Sequence, residues 1–135
     1  MYILTSAPVW CIKLIEMHIE AFREYCLTKK GVTESFPFDE STLVFKVMGK
    51  MFALSGLERL PAQANLKCDP DRSVELRAQY DGLILPGYHM SKLHWNTVLI
   101  DAGLPPELIR ELIDHSYELV VAKFSKKLRQ EWESL

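Results

Sequence analysis

Apolar positions follow two different periods along this chain, and each period predicts a kind of element. Three- and four-residue spacing of apolar side chains near the start predicts a helix over residues 16–30. Gly31 is expected to end that helix, because glycine suits the left-handed position after a helix C-terminus. Residues 32–41, which contain Pro37, are predicted to be a polar and aromatic connection.

A two-residue period then replaces the helical one and predicts a β-hairpin over residues 42–57. Leu43, Phe45 and Val47 would share one face of its first strand, because successive side chains of a strand point to opposite faces. The turn is predicted at Met48-Gly49, where Gly49 supplies a positive φ.

The second half of the chain combines short strands with helices. Residues 63–68 are predicted to form a third strand. Asp69 followed by Pro70 is a strong helix start and predicts a helix over residues 69–80. A strand over residues 95–100, the longest helix after Pro106 and a last helix capped by Ser125 complete the pattern. Because strands and helices do not alternate regularly, we predict an α+β domain with an antiparallel sheet.

Length and composition narrow the class of protein. The 135 residues suffice for one domain, and 48% hydrophobic with 25% charged residues is typical of soluble globular proteins. No apolar run reaches the 18 residues that indicate a membrane span, and Lys13 is the only charge in the first 15 residues, which argues against a signal peptide. Three cysteines without a C-x-x-C pair indicate a reduced protein. We therefore expect a cytoplasmic protein with no membrane contact.

Charge is distributed unevenly around a net value of −2. Residues 41–100 hold seven Lys and Arg against five Asp and Glu, whereas the segments on either side are each acidic. If the protein has an anionic partner, the middle of the chain is where it would bind.

The histidine-rich stretch YHMSKLHWNT, residues 88–97, is a candidate for chemistry. His89 and His94 are five residues apart, and neither a helix nor a strand brings that spacing onto one metal ion. The chain has no G-x-S-x-G sequence and no glycine-rich phosphate loop. We therefore expect no catalytic residues, no metal site, no cofactor and no enzymatic activity.

An acidic row is predicted on the first helix, where Glu16, Glu20 and Glu24 recur every four residues. It has two interpretations: a weak site for a cation or a basic partner, or a solvated face relieved by Lys13 and Arg23.

Basic residues offer candidates for contact with double-stranded DNA. Lys46 and Lys50 flank the hairpin turn, which could act as a wing, and Trp95 could stack on a base. The alternative is that the lysines protect an edge strand and that Trp95 fills the core. The candidate DNA-binding residues are Lys46, Lys50, Lys67, Arg72, Lys92, His94 and Trp95.

Four blocks of the sequence together closely resemble the MmcQ/YjbR family. They are FREYCLTKKGVTESFPFDESTLVFKVMGKMFAL, NLKCDPDRSVELRAQY, PGYHMSKLHWNTV and LPPELIRELIDHSYELVVAKF. The resemblance covers residues 17–129. It implies an N-terminal extension over residues 1–16 and a single domain over residues 17–135.

The resemblance also implies a fold and a function. The implied fold is a compact two-layer α/β sandwich, CyaY-like and double-wing-like, with helices packed on one face of an antiparallel sheet. The implied function is that of a DNA-binding protein. We expect it to be a non-enzymatic monomer whose partner is double-stranded DNA. Two alternatives stay open: a protein–protein adaptor, and a weak metal-binding module similar to the frataxins, which bind iron through an acidic first helix.

Overall fold

A computed structural model describes residues 17–135, and in this part of the chain six strands and four helices are formed. In chain order they are α1 (Ile19–Leu27), β1 (Val32–Ser35), β2 (Thr42–Val47), β3 (Lys50–Gly56), β4 (Gln63–Lys67), α2 (Pro70–Gln79), β5 (Ile84–Pro86), β6 (Trp95–Leu99), α3 (Pro106–Ala122) and α4 (Lys126–Glu133).

The strands form one antiparallel sheet in the order β1-β2-β3-β4-β6-β5. The first four strands are neighbours in sequence and in space, as short connections favour. Strand β6 pairs with β4 and places the short strand β5 at the far edge. The predicted α+β fold with an antiparallel sheet is confirmed.

The main core lies between the sheet and the helices, which pack on one face. Phe22 of α1, Phe45 of β2 and Ile113 of α3 are fully buried in it. The rings of Phe22 and Phe45 meet edge to face with their centroids 6.1 Å apart, a favoured aromatic geometry. Leu43 and Val47 lie in the same core, which confirms the face predicted for β2.

The opposite face of the sheet holds a smaller cluster. Val44, Leu54 and Trp95 are buried there, and Met51 and Met90 pack against them. Met90 belongs to residues 87–94, which we call the cross-sheet loop because it lies against this face.

A β-bulge between Phe45 and Lys46 interrupts the pairing of β2 with β3. The fully buried hydroxyl of Ser116 on α3 joins two strands beside it. Its Oγ donates to the carbonyl of Phe52 at 2.6 Å and accepts from the Lys67 N–H at 2.9 Å. A helix side chain thereby satisfies backbone groups that the sheet leaves unpaired.

Local signals in the sequence mark several boundaries correctly. The Asp69 carboxylate accepts from the Arg72 N–H at 3.1 Å, and the Ser125 hydroxyl accepts from the Leu128 N–H at 3.1 Å, as expected for N-caps. Met48 and Gly49 form the predicted hairpin turn, with φ of 50° and 81°.

The predicted elements include one helix with wrong bounds and omit two strands. Helix α1 begins at Ile19 and ends at Leu27, so it is shorter than the predicted helix over residues 16–30. Strand β1 lies inside the predicted connection, and the short strand β5 was not predicted. Both missed strands are edges of the sheet, where one side has no partner strand. Strand β1 is largely polar and β5 has only three residues, so neither shows an alternating apolar pattern. The predicted N-terminal extension, residues 1–16, lies outside the described residues.

Candidate nucleic-acid interface

One end of the sheet gathers most of the candidate basic residues. Strand β2 runs toward this end, β3 leaves it, β4 returns to it and β6 starts from it, because neighbouring strands are antiparallel. The C-terminal end of α3 arrives at the same place and brings a lysine that sequence reasoning did not select. We call this set the basic end: Lys46, Lys50, Lys67, Lys92, His94 and Lys123.

Lys46 and Lys50 flank the exposed hairpin turn between β2 and β3. Lys50 is exposed, and Lys46 stands on the face of the sheet opposite the helices, beside Met51. The Met48 N–H donates to the Gly31 carbonyl at 3.1 Å and fastens the turn to the segment after α1. These two ammonium groups are therefore presented from a fixed hairpin.

Lys67 is held more closely than the hairpin lysines. Its backbone N–H is bonded to Ser116, and its Nζ lies 5.5 Å from the centroid of the Trp95 ring, within cation–π distance. Burial lowers the pKa of Lys67, and the positive charge of Lys123 lowers it further. The sheet and the C-terminal end of α3 therefore bring two like charges into the same part of the molecule.

Arg77 of α2 positions the segment that carries Lys92 and His94. Its guanidinium donates to the side-chain oxygen of Asn96 at 2.8 Å and to the backbone carbonyls of Lys92 and Trp95. The Cys68 N–H donates to the His94 carbonyl at 2.9 Å. Sequence reasoning missed Arg77, because nothing in the helix pattern shows which carbonyls a surface arginine will meet.

The N-terminal end of the cross-sheet loop is hydrogen-bonded to the sheet through Tyr88. The Tyr88 N–H donates to Thr97 Oγ1 at 2.9 Å, and Thr97 Oγ1 donates to Asn65 Oδ1 at 2.6 Å. The amide of Asn65 donates to the Tyr88 carbonyl at 3.3 Å. Much of the distinctive stretch over residues 88–97 is thus explained by a hydrogen-bonded loop.

Two candidate residues stand apart from the basic end in their chemistry. The Arg72 guanidinium is paired with the Glu111 carboxylate of α3, and this hydrogen bond raises its pKa. Trp95 is only 6% exposed and is packed in the smaller core, so its ring is not open for stacking on a base. The structural interpretation of Trp95, a strand residue that fills the core, is the one the fold supports.

Among residues 17–135, the histidine pair and the described glutamates of the acidic row are not assembled into a metal centre. His89 and His94 line different cavities. Glu20 and Glu24 are exposed on α1, while Glu16 lies outside the described residues. Within residues 17–135, no three His, Cys, Asp or Glu side chains are grouped as ligands for one metal ion.

The ion pairs among the described residues are made by cations outside the basic end. Among residues 17–135, the ion pairs join Arg23 to Glu34, Lys29 to Asp114, Arg72 to Glu111 and Arg110 to Glu107. None of them includes a lysine of the basic end. The opposite end of the sheet instead places Glu20 and Asp101 around one cavity and Asp39 in another.

Comparison with known proteins identifies the family. The YjbR family model matches residues 27–119, which is more than half of the chain. The chain belongs to the YjbR family.

Relatives within this family match over most of their lengths. The uncharacterized protein YbdF of Escherichia coli O157:H7 is 41% identical over 108 residues, covering 80% of this chain and 88% of YbdF. The uncharacterized protein YjbR of Escherichia coli K12 is 33% identical over 115 residues, covering 84% of this chain and 96% of YjbR. The family resemblance seen in the sequence is confirmed.

Solved structures share the fold of this YjbR-family chain. The Deinococcus radiodurans protein DR2400, which carries the domain DUF419, matches with a TM-score of 0.81 and 41% identity, over 87% of this chain and 89% of that protein. A Pseudomonas syringae protein matches with a TM-score of 0.65 and 28% identity, over 76% of this chain and 98% of its own. Within the described residues, no helix has both the length and the hydropathy needed to cross a bilayer.

Proposed function

We propose that this YjbR-family protein binds double-stranded DNA through its basic end and catalyses no reaction on it. The observation that carries the proposal is the convergence of five lysines and one histidine at one end of the sheet, without carboxylate partners among the described residues. Phosphate contacts by lysine supply most of the affinity of a protein for duplex DNA.

The arrangement of the basic end suits a duplex backbone. Lys46 and Lys50 extend from a hairpin, while Lys67 and Lys123 lie beside α2 and α3. A net charge of −2 for the whole chain would oppose binding if it were spread evenly. Here three of the acidic residues, Glu20, Asp39 and Asp101, lie at the opposite end of the sheet. Their carboxylates would face away from the DNA.

The non-enzymatic part of the proposal is supported by the two cysteines that the structure describes. Cys26 and Cys68 are both buried, and burial raises the pKa of each thiol. A thiol with a raised pKa supplies little thiolate, which is the nucleophilic form. These two side chains therefore act as core residues.

Fluorescence anisotropy with a labelled duplex at about 50 and about 200 mM salt tests the proposal. Binding should weaken strongly with salt, because bound phosphates release counterions. The double variant Lys46→Gln, Lys50→Gln should reduce the salt slope by about one for each phosphate that these two lysines neutralise.

The matched control is Arg59→Gln, Arg110→Gln. It also removes two positive charges, but from positions outside the basic end. It should leave the salt slope unchanged. No saturable binding at the lower salt concentration, or equal losses of affinity in both double variants, would overturn the proposal.

A second function, that of a protein–protein adaptor, is favoured by exposed apolar side chains at the opposite end of the sheet. Phe38 is 66% exposed and Leu60 is 90% exposed, and Phe36 and Leu57 are also exposed nearby. Clustered exposed apolar groups often mark protein interfaces. A photo-crosslinking residue at position 60 should capture one defined partner in cells, whereas the same residue at exposed position 74 on α2 should not.

A further inference from the structure

A cavity of about 360 Å³ opens where β4 ends and α2 begins. Lys67 and His94 line it from the sheet side, and Leu119 and Lys123 line it from α3. Asp69, the carboxylate among its lining residues, accepts from the Arg72 N–H as the cap of α2. The residues that line the cavity therefore include two lysines, a histidine and an aspartate whose carboxylate is already hydrogen-bonded.

Two like charges line this cavity from different elements of the fold. The backbone N–H of Lys67 donates to Ser116 Oγ, and the ammonium group of Lys67 lies over the Trp95 ring. Burial lowers the pKa of Lys67, and the positive charge of Lys123 lowers it further. Among residues 17–135, neither lysine forms an ion pair. An anion between them would relieve this repulsion.

We propose that this cavity binds a phosphate monoester dianion between the ammonium groups of Lys67 and Lys123, with His94 at its rim. The inference rests on the proposed function in one respect: on DNA, the monoester would be a phosphate at a strand end. A free phosphorylated small molecule offers the same group.

A monoester fits this site better than a phosphodiester within a strand. A monoester carries between about 1.5 and 2 negative charges at pH 7, so it can pair with both ammonium groups. A diester carries one charge and has nucleotides on both sides. A phosphate at a strand end has no nucleotide beyond it, so it can enter a recess without bending the strand.

Two duplexes of the same sequence test the inference, one with phosphate on every strand end and one with hydroxyl on every end. The phosphorylated duplex should bind about tenfold more tightly, as expected for charge-assisted hydrogen bonds gained at the end group. Lys123→Gln should abolish this difference. Lys50→Gln, which removes an equal charge from the hairpin, should weaken both duplexes and preserve the difference.

Inorganic phosphate and a nucleoside monophosphate form a second arm, read by ¹H–¹⁵N chemical shifts of the intact protein. Both should shift the amides of Lys67 and His94 and should fail to do so in Lys123→Gln. Because Lys123 is exposed, this variant should keep the wild-type thermal midpoint.

The outcomes separate the two proposals. Equal binding of both duplexes, with no shift on adding phosphate, would overturn the cavity proposal and leave salt-dependent DNA binding intact. Phosphate shifts without binding of either duplex would support the cavity, assign it to small molecules and overturn the proposed function.

Discussion

Gly87 shows at the scale of one residue why the sequence Pro86-Gly87 opens the cross-sheet loop. A Cβ atom at position 87 would lie 2.8 Å from Cβ of Trp95 and 2.9 Å from its carbonyl oxygen. These distances are too short for a carbon atom and its non-bonded neighbours. The need for glycine here comes from this close approach of two chain segments.

We predict that Gly87→Ala lowers the free energy of unfolding by about 1–3 kcal/mol, as overpacked positions do. Gly56→Ala is the control, because an added Cβ there meets only the flexible side chain of Arg59. Urea denaturation of both variants checks the prediction. Equal stabilities for the two variants would contradict it.

His115 should make the free energy of unfolding depend on pH. Its Nε2 accepts from the Asp69 N–H at 3.2 Å, which requires the neutral ring at that atom. Burial lowers the pKa of His115 below its ordinary value of 6.5, and the charge of Arg72 lowers it further. The unfolded chain therefore takes up this proton at a higher pH than the folded protein does.

The free energy of unfolding should consequently fall as pH drops below about 6.5, until the folded imidazole is itself protonated. His115→Gln removes this titration and should give a flatter profile between pH 8 and pH 5. Chemical denaturation at several pH values, compared after subtracting the difference at pH 8, measures the effect. Parallel profiles for the two proteins would show that His115 is not the group responsible.

At the scale of elements, α3 serves the sheet through Ser116 as well as through its apolar stripe. Ser116→Ala would remove the partner of the Phe52 carbonyl and of the Lys67 N–H, both close to the bulge in the β2–β3 pairing. We predict a loss of about 1–3 kcal/mol in the free energy of unfolding.

Ser35→Ala on the exposed edge strand β1 is the control and should change stability by less than about 0.5 kcal/mol. Amide hydrogen exchange adds a local readout, because the Lys67 N–H should lose protection in Ser116→Ala. Unchanged exchange at Lys67 would contradict the role given to Ser116.

Elements were predictable where the chain carries a complete local signal. Asp69 with Pro70 marks the start of α2, Gly49 marks the hairpin turn, and Leu43, Phe45 and Val47 mark one face of β2. The edge strands β1 and β5 carry no such signal, since a strand with one neighbour needs little apolar alternation. The end of α1 at Leu27 was not encoded by Gly31 alone, because the chain turns over residues 28–30 before that glycine.

At the scale of the whole molecule, the separation of charge along the sheet predicts how DNA would be oriented. Adding a duplex at low salt should shift the amide resonances of Lys50, Lys67 and His94. The amides of Phe38 and Leu60, at the opposite end, should stay in place. ¹H–¹⁵N spectra recorded during a titration check this prediction. Shifts concentrated at Phe38 and Leu60 would contradict it, because they would place the interface at the end opposite the basic end.

The candidate site was only partly predictable. The sequence selected Lys46, Lys50, Lys67, Lys92 and His94, because lysines near turns and beside an aromatic residue are typical of nucleic-acid contacts. It also selected Arg72, which is neutralised by Glu111, and Trp95, which is buried. Lys123 and Arg77 were missed, since only packing brings α3 beside β4 and α2 beside the cross-sheet loop. The CyaY-like and double-wing-like likeness stays a prediction.

The sequence by itself determined the α+β class, the hairpin, the helix caps and the family, because these depend on residues close together in the chain. Tertiary structure alone decided which face of the sheet the helices cover, which cations are paired with a carboxylate, and that Lys67 and Lys123 share a cavity. The physical reason is that ion pairing, burial and repulsion depend on distances of a few ångströms between segments far apart in sequence. No local pattern specifies those distances.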